Sequence, residues 1–248
     1  MRSAASITAS AAVAGRARAV RYEPCAPPDL GAGGGEATAA ADSATDAIFL
    51  HPHGALGRRA PEWLVYADLV ASARRVYMAG ASAIDPAWLA GSAPGLTALT
   101  PPSADTPARY DAATDACVAP GGATYGPRAW ALPPVIALHP DPAARAVAFA
   151  EALLSGRAIP ALGALLAPWL VEPPSAVRRA GALGVRRVGD LVTALRKAGV
   201  DSAGRLAAVW AADGGQFLRR ELMGGWVRAE GVEAVGTGWG EVVVGLCE

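Results

Sequence analysis

The segment at residues 61–80 places apolar side chains on both of its faces, and this limits the fold more than any other stretch. Leu64 and Tyr66 alternate there with Trp63 and Val65. Such a segment must be covered on two sides, as a central strand or as a buried helix. Its aromatic and β-branched residues favour a strand and its alanines favour a helix, so periodicity alone leaves both possibilities open.

Large core-forming side chains are scarce elsewhere in the chain. Its 248 residues include 60 Ala and 29 Gly but only 3 Phe and 3 Met. The 7 Trp are therefore expected to anchor much of the packing. The length suffices for one large domain or two small ones. No apolar run reaches the roughly 18 residues of a membrane-spanning helix, so none is predicted.

The first 45 residues show no pattern of a folded element and are predicted to be disordered or of low complexity. Residues 1–22 contain four Arg, several hydroxyl residues and no acid. That composition is typical of organellar transit peptides, and equally of an unstructured alanine-rich start. Residues 26–46 are rich in Pro, Gly and Ala and favour a flexible linker.

Local signals mark the elements that follow. An apolar run that ends before Pro52 predicts a strand. Asp85 followed by Pro86 predicts a helix N-terminus with the aspartate as its cap. Residues 94–108 are rich in Pro, Ser and Thr and are interpreted as a linker.

The second half of the chain is predicted to be a hairpin followed by helices. Two short strands are expected between Tyr110 and Tyr125, with the turn at the Pro-Gly-Gly of residues 120–122. The spacing of apolar residues then predicts a small bundle of five helices. Their starts are placed at Asp141, Pro160, Val185, Asp201 or Ser202, and Phe217. No structure is assigned to the Gly-rich acidic stretch after Trp226.

The motifs of several common enzyme classes are missing from the sequence. It contains no G-x-x-x-x-G-K-[ST] phosphate loop, no G-x-S-x-G elbow and no H-E-x-x-H. His51 and His53 lack the further ligands that zinc requires, so no metal site is predicted and His51 is expected to form a local hydrogen bond. Asp111 and Asp115 have no nucleophile or base beside them and are interpreted as turn or strand-capping residues.

Paired arginines are the remaining chemical signal. The net charge is zero, yet residues 174–228 carry ten Lys or Arg against four acids, ahead of an acidic tail. Arginine pairs can bind phosphates or can simply be solvated on a helix face. Tyr66 and Tyr77 flank the pair Arg74 and Arg75. This interleaving of aromatic and cationic residues favours a contact surface for single-stranded nucleic acid.

Several blocks in the first half resemble the OB-fold region of DEAH-box RNA helicases. They match the family pattern in order and in spacing over about 45 residues. The blocks are Phe49-Leu50-His51-Pro52, Pro61-Glu62-Trp63-Leu64-Val65-Tyr66, Leu69-Val70, Tyr77-Met78, Ile84-Asp85-Pro86 and Trp88-Leu89. By this resemblance, residues 62–84 form paired strands and not a long helix.

Blocks in the second half resemble the C-terminal domain of one branch of that family. This branch is the nucleolar helicase of the small-subunit processome, which remodels the snoRNA paired to precursor rRNA. The blocks include Tyr110-Asp111, Thr124-Tyr125-Gly126-Pro127, Leu132-Pro133, Leu153-Leu154-Ser155-Gly156, Val200-Asp201-Ser202 and Phe217-Leu218. In the family, hydroxyl residues usually follow His-Pro. Here His53 and Gly54 stand in that place, so a contact made by those hydroxyls does not carry over.

The resemblance implies an α+β fold. A small, partly open OB-type β-barrel is expected at residues 46–100, then a β-hairpin and a helical C-terminal domain at 107–226, and a tail at 227–248. The family's motor domains, which hydrolyse ATP with magnesium, find no match here. The chain is therefore expected to be an accessory part of a helicase, with no catalytic residue and no cofactor of its own.

The implied function is RNA binding and docking in rRNA processing and small ribosomal subunit biogenesis, in the nucleolus. The expected RNA contacts are His53, Tyr66, Arg74, Arg75, Arg186 and Arg187. Expected partners are single-stranded RNA, pre-rRNA or snoRNA, the helicase motor domains and an activator protein, with no membrane. Two alternatives stay open: a stand-alone protein-interaction module without RNA affinity, and a protein targeted to the chloroplast or mitochondrion.

The missing phosphate loop leads to a direct prediction. We expect the purified chain to hydrolyse ATP no faster than background, with or without single-stranded RNA, because nothing in the sequence can cradle the phosphates. A phosphate-release assay measures this. RNA-stimulated hydrolysis would show that the phosphate-binding element has been misread.

Overall fold

The computed structural model describes residues 5–7, 18–24, 48–51, 53–56, 61–72, 75–179 and 181–247. The described residues form both helices and sheets, which confirms the predicted α+β class. The chain divides into two compact units: unit 1 is Met1–Thr100 with Gly122–Val135, and unit 2 is Pro101–Gly121 with Ile136–Glu248. Among the described residues, no helix is both long enough and apolar enough to cross a membrane.

Twelve strands are described. They are β1 (Ala5–Ile7), β2 (Arg18–Pro24), β3 (Ile48–Leu50), β4 (Trp63–Tyr66), β5 (Asp68–Ala71), β6 (Val76–Ala79), β7 (Ser82–Ala83), β8 (Thr97–Thr100), β9 (Arg109–Asp111), β10 (Ala116–Tyr125), β11 (Trp130–Ala131) and β12 (Val135–Leu138). Those of residues 48–83 confirm the strands expected there, and they exclude a continuous helix over residues 63–78.

Seven α-helices are described. They are α1 (Leu89–Ser92), α2 (Pro142–Leu154), α3 (Pro160–Leu166), α4 (Arg186–Ala198), α5 (Ala203–Asp213), α6 (Arg219–Gly225) and α7 (Val232–Cys247). Short 3-10 segments lie at Pro86–Trp88, Pro94–Leu96, Ala167–Trp169, Pro174–Arg178, Ala182–Gly184 and Ala229–Gly231.

The strands of unit 1 form open sheets. One sheet has the order β1-β2-β4-β7, and a second has the order β3-β6-β5, in which β3 runs parallel to β6. The C-terminal half of β10 pairs with β8 and with β11. No closed barrel is formed by the strands that are described, so the OB-type barrel stays a prediction.

Strand β4 explains why its segment is apolar on both faces. Trp63 points into one cluster, where its ring meets those of Tyr125 and Trp130 edge to face at 6.2 and 5.9 Å. Leu64 and Tyr66 point the opposite way, into a second cluster with Met78. Because successive side chains of a strand alternate between faces, one short strand serves two separate cores.

The hairpin of unit 2 turns at a different place from the one predicted. The turn lies between Asp111 and Asp115, whereas the Pro-Gly-Gly of residues 120–122 sits inside the ten-residue strand β10. Residues 116–118 of β10 pair with β9, and residues 122–125 pair with β8. Pro120 therefore falls where the strand changes partners, and its missing N–H breaks neither of these two ladders.

Local capping signals in unit 2 predict helix starts correctly. The Asp141 carboxylate accepts hydrogen bonds from the N–H groups of Ala143 and Ala144 at 2.9 and 3.2 Å, at the start of α2. Of the two candidate caps for α5, Ser202 is the one used, since its hydroxyl accepts from the Arg205 N–H at 3.2 Å.

The stretch after Trp226, for which the sequence shows no clear pattern, forms helix α7. Its glycines weaken the helical signal, yet Val235, Trp239 and Val242 lie at helical spacing and are buried in the core of unit 2. The Trp239 indole N–H donates to the carbonyl oxygen of Gly215 at 2.8 Å. The tail thus closes the core of this unit.

Helices α2 and α3 approach each other through glycine. A Cβ built on Gly163 would lie 2.2 Å from the Cα of Gly156, far inside any van der Waals contact. Gly156 itself has a φ of 74°, a conformation that favours glycine. The turn between the two helices depends on both residues lacking a side chain.

Asp115 connects the hairpin to α5. Its carboxylate accepts hydrogen bonds from the N–H groups of Ala203 and Gly204 at 2.7 and 2.8 Å, and from the Tyr110 hydroxyl at 2.6 Å. A carboxylate at a helix N-terminus satisfies its free N–H groups and favours its dipole. Asp111, by contrast, bonds only within its own turn, to Ala113 and Thr114. Asp111 is therefore a turn residue, as predicted, whereas Asp115 lies in the turn and also caps a helix, a role that the sequence does not predict.

We predict that Asp115→Ala lowers the free energy of unfolding of unit 2 by about 2 kcal/mol, the sum of a lost helix cap and a lost buried hydrogen bond. Asp111→Ala is the matched control and should cost less, because its bonds stay inside one exposed turn. Urea unfolding followed by far-ultraviolet circular dichroism measures both. Equal losses would contradict the capping role of Asp115.

Cys117 is buried beside this network. Its thiol lies 3.3 Å from the carbonyl oxygen of Arg145 and 3.4 Å from that of Asp201. Desolvation by burial, with a smaller contribution from the Asp201 charge, raises the pKa of the Cys117 thiol from its ordinary 9.0 to about 12. The thiol is therefore neutral throughout the physiological range in the folded chain.

We predict that alkaline pH destabilises unit 2 partly through Cys117. Between about 9 and 12 the unfolded thiol has lost its proton while the folded thiol keeps it, so the free energy of unfolding falls as the pH rises. In Cys117→Ala this slope should be shallower by up to about 1.4 kcal/mol per pH unit. Urea unfolding across that range tests it, and an unchanged slope would contradict it.

Candidate nucleic-acid interface

The β3-β6-β5 sheet of unit 1 has two chemically different faces. Alternation along the strands directs Ile48, Leu50, Leu69 and Met78 to the cluster that holds Leu64 and Tyr66. The residues between them point to the other face. That outer face, called here the ring face, consists of Phe49, His51, Val70, Arg75 and Tyr77, with His53 in the loop after β3.

The rings of this face form a continuous row. Phe49 of β3 and Tyr77 of β6 are partners in the strand register, and their ring centroids are 6.3 Å apart. The His51 ring meets Tyr77 edge to face at 5.3 Å, and the His53 ring lies 5.7 Å from that of His51. His51 also accepts a hydrogen bond from the His53 N–H at 3.3 Å, the local bond expected for it.

Arg75 supplies the positive charge at one end of the row. Its guanidinium carbon lies 4.8 Å from the centroid of the Phe49 ring, within cation–π distance. The backbone of Arg75 is fixed by Ser72, whose hydroxyl donates to its carbonyl oxygen at 2.9 Å and accepts from its N–H at 3.2 Å. No described acid pairs with this guanidinium, so its N–H donors stay available.

A groove of about 690 Å³ lies beside the ring face. Its lining includes His51, His53, Val70 and Tyr77 of the ring face, together with Leu50, Leu56, Met78 and residues 79–81. Val70 is 57% exposed and adds apolar surface to the groove. Asp68 is exposed and shares the face of Val70 along β5, so the described charges of this face nearly balance. The groove is suited to flat, stacking groups more than to a dense polyanion.

The structure brings two of the predicted contacts in unit 1, His53 and Arg75, to the ring face. Tyr66 is placed differently: it is 1% exposed, and its ring belongs to the core on the other side of the sheet. A base could not stack on it without opening β4. Arg74 lies outside the described residues. Phe49 and Tyr77 complete the face, and their spacing of two residues from His51 and Arg75 is the signal that points to them.

The other two predicted contacts lie in unit 2, at the start of α4. The Arg186 side chain is 94% exposed and lies 3.6 Å from Asp190. Arg187 is held by Glu172, with a nitrogen-to-oxygen distance of 2.5 Å, and its guanidinium carbon is 6.0 Å from the Trp226 ring. Arg187 therefore has a structural partner already, whereas Arg186 is open to solvent.

Comparison with known proteins relates the chain to helicases. No family model matches it. The chain is 30% identical over 198 residues to ATP-dependent RNA helicase DEAH13 of Arabidopsis thaliana. The aligned part covers 80% of this chain and 14% of that protein. The chain is therefore similar to a segment of a DEAH-box ATP-dependent RNA helicase, which agrees with the resemblance found in its sequence blocks.

Proposed function

We propose that this chain is an accessory RNA-contact region of a DEAH-box helicase system and that the ring face binds single-stranded RNA. The observation that carries the proposal is the row of Phe49, Tyr77, His51 and His53 rings with Arg75 at its end. Base stacking on aromatic side chains contributes about 1–3 kcal/mol per base and tolerates any sequence. An exposed guanidinium next to the rings can hold the phosphate backbone.

The charge of the ring face sets the expected character of the binding. With Arg75 as its only described cation and Asp68 on the same sheet face, few counterions are released when RNA binds. For a single strand and one neutralised phosphate, the logarithm of the binding constant should therefore fall with the logarithm of salt with a slope of only about −0.7. Stacking, which salt does not screen, supplies the rest of the affinity.

The biological setting is proposed from the resemblance and from the relative. We propose that the region acts in rRNA processing and small ribosomal subunit biogenesis, on pre-rRNA or snoRNA, next to helicase motor domains and an activator protein. The nucleolus is the proposed location. The OB-type character of residues 46–100 belongs to the same proposal, since OB folds bind single strands on a sheet face.

A tagged chain distinguishes this location from the organellar alternative. We expect nucleolar signal if the chain serves ribosome assembly. Import into chloroplasts or mitochondria, as the Arg-rich composition of residues 1–22 also permits, would contradict the nucleolar setting.

We predict that Tyr77→Ala weakens binding of a single-stranded RNA about tenfold, because one stacking platform is lost. Tyr77→Phe should bind nearly as well, since the ring is kept. Arg75→Ala should weaken binding and flatten the salt slope by about one phosphate contact. Filter binding at two salt concentrations measures all three variants.

Arg128→Ala is the matched control for charge. Arg128 is exposed and belongs to unit 1, yet it lies outside the ring face, so its loss should leave affinity and slope nearly unchanged. If the chain binds no RNA, the second candidate, a protein-interaction module without RNA affinity, replaces this proposal. An equal effect of Arg75→Ala and Arg128→Ala would show that RNA binding depends on the overall charge of the chain and not on the ring face.

A further inference from the structure

We infer a second binding site, in unit 2, for an acidic polypeptide segment that carries an apolar side chain. The site is a groove of about 980 Å³ between α4 and α6, called here the α4–α6 groove. It belongs to unit 2 and the ring face to unit 1, and the inference does not depend on RNA binding. Its lining includes Val185, Arg186, Asp190, Thr193, Lys197, Arg220, Glu221 and Gly224.

Helix α4 forms one wall because of its spacing. Val188, Leu191, Val192 and Leu195 turn into the core of unit 2. Arg186, Asp190, Thr193 and Lys197 follow one another at intervals of three or four residues and so form a polar stripe on the outside. At a rise of 1.5 Å per residue, this stripe is about 17 Å long, the length of a helical peptide of about 12 residues.

The floor of the groove is open because it is made of glycine. A Cβ on Gly224 would meet nothing within 4 Å, so that position faces free space. A Cβ on Gly225 would lie 3.0 Å from the Cβ of Arg187, which shows how closely α6 approaches α4 below it. A bound segment could therefore lie against backbone between the two helices.

The cations that line the groove are free to bind. Lys197 and Arg220 pair with no described acid, and the contact of Arg186 with Asp190 is a long one between exposed side chains. Arg187 is not one of these free cations, because its guanidinium forms an ion pair with Glu172. Three cations thus face two carboxylates, those of Asp190 and Glu221.

The rest of the lining favours a polypeptide over a nucleic acid. No aromatic side chain lines the groove, so bases would find no stacking platform. The two carboxylates oppose a chain that carries one charge per nucleotide. Val185, which lines the groove, is 44% exposed and leaves apolar surface for a side chain such as leucine. Spaced acids with one apolar anchor match this combination of charge and apolar rim.

Fluorescence anisotropy with defined probes tests the inference on the full chain. The first probe is a dye-labelled peptide of about 12 residues that contains Asp, Glu and two Leu, matched to the stripe length. The second has Ser in place of Leu, and the third is a single-stranded RNA. At about 0.15 M salt we expect the first peptide to bind and the second to bind several times more weakly.

The decisive variant reverses two of the free cations, Lys197→Glu with Arg220→Glu. We expect it to weaken the leucine peptide roughly tenfold or more, because complementary charges become repulsive. The matched control, Arg196→Glu with Arg228→Glu, makes the same change of net charge on exposed residues outside the groove and should leave the peptide affinity nearly unchanged. Val185→Ser should weaken the leucine peptide and spare the serine peptide.

Three results would overturn the inference. They are absence of peptide binding, equal losses in the decisive and control variants, and loss of RNA binding but not of peptide binding in the decisive variant. The last result would show that the groove binds the phosphates of RNA and not the peptide. An unchanged circular dichroism spectrum shows that each variant is folded. If RNA binding depends on Tyr77 but not on Lys197, the ring face and the α4–α6 groove are two separate binding sites.

Discussion

The packing of unit 2 depends on the hydrogen bonds of the Asp115 carboxylate. It accepts the N–H groups at the start of α5 and the Tyr110 hydroxyl, so one side chain joins a hairpin turn to a helix 88 residues away in sequence. Next to it, Asp201 pairs with Arg145 of α2 at 2.7 Å, and Cys117 lies between the backbones of both. The burial that raises the pKa of the Cys117 thiol occurs at this same junction. Hairpin, α2 and α5 therefore depend on one another for their positions.

The packing of unit 1 is governed by a different constraint. Its few large apolar residues must cover several strand faces. Strand β4 is buried on both faces and separates two clusters, around Trp63 and around Met78. The β3-β6-β5 sheet covers only one face, with aliphatic residues, and leaves its rings outside. Because the aliphatic side is filled, Phe49 and Tyr77 have no place in the core. The parity of the strands places these half-buried rings on the ring face, where a ligand can contact them.

Features that depend on interactions between residues close in sequence could be predicted, and features that depend on long-range interactions could not. Asp85 and Asp141 act within three residues of themselves, so their capping can be predicted without a fold, while at α5 the sequence leaves Asp201 and Ser202 open. The hairpin turn was misplaced because Pro-Gly-Gly is a strong local signal, and the change of strand partners that accommodates it is not local. Helix α7 was missed because its glycines mask three buried residues. At the candidate site, His53 and Arg75 lie on the ring face and stay predicted contacts, whereas the choice between Tyr66 and Tyr77 requires the placement of β4 and β6 in different sheets, which no local pattern carries.

The contact between Gly156 and Gly163 bears on how a chain of this composition can vary. Glycine and alanine codons differ by a single base, and in a sequence with 60 alanines that exchange is among the easiest for drift to sample. At most exposed glycines of this chain, replacement by alanine would leave the stability nearly unchanged or would stabilise a helix. At the junction of α2 and α3 it would force two backbones apart. Among related sequences, this pair should therefore stay glycine while alanine spreads around it, a mark of steric selection that requires no ligand to explain it.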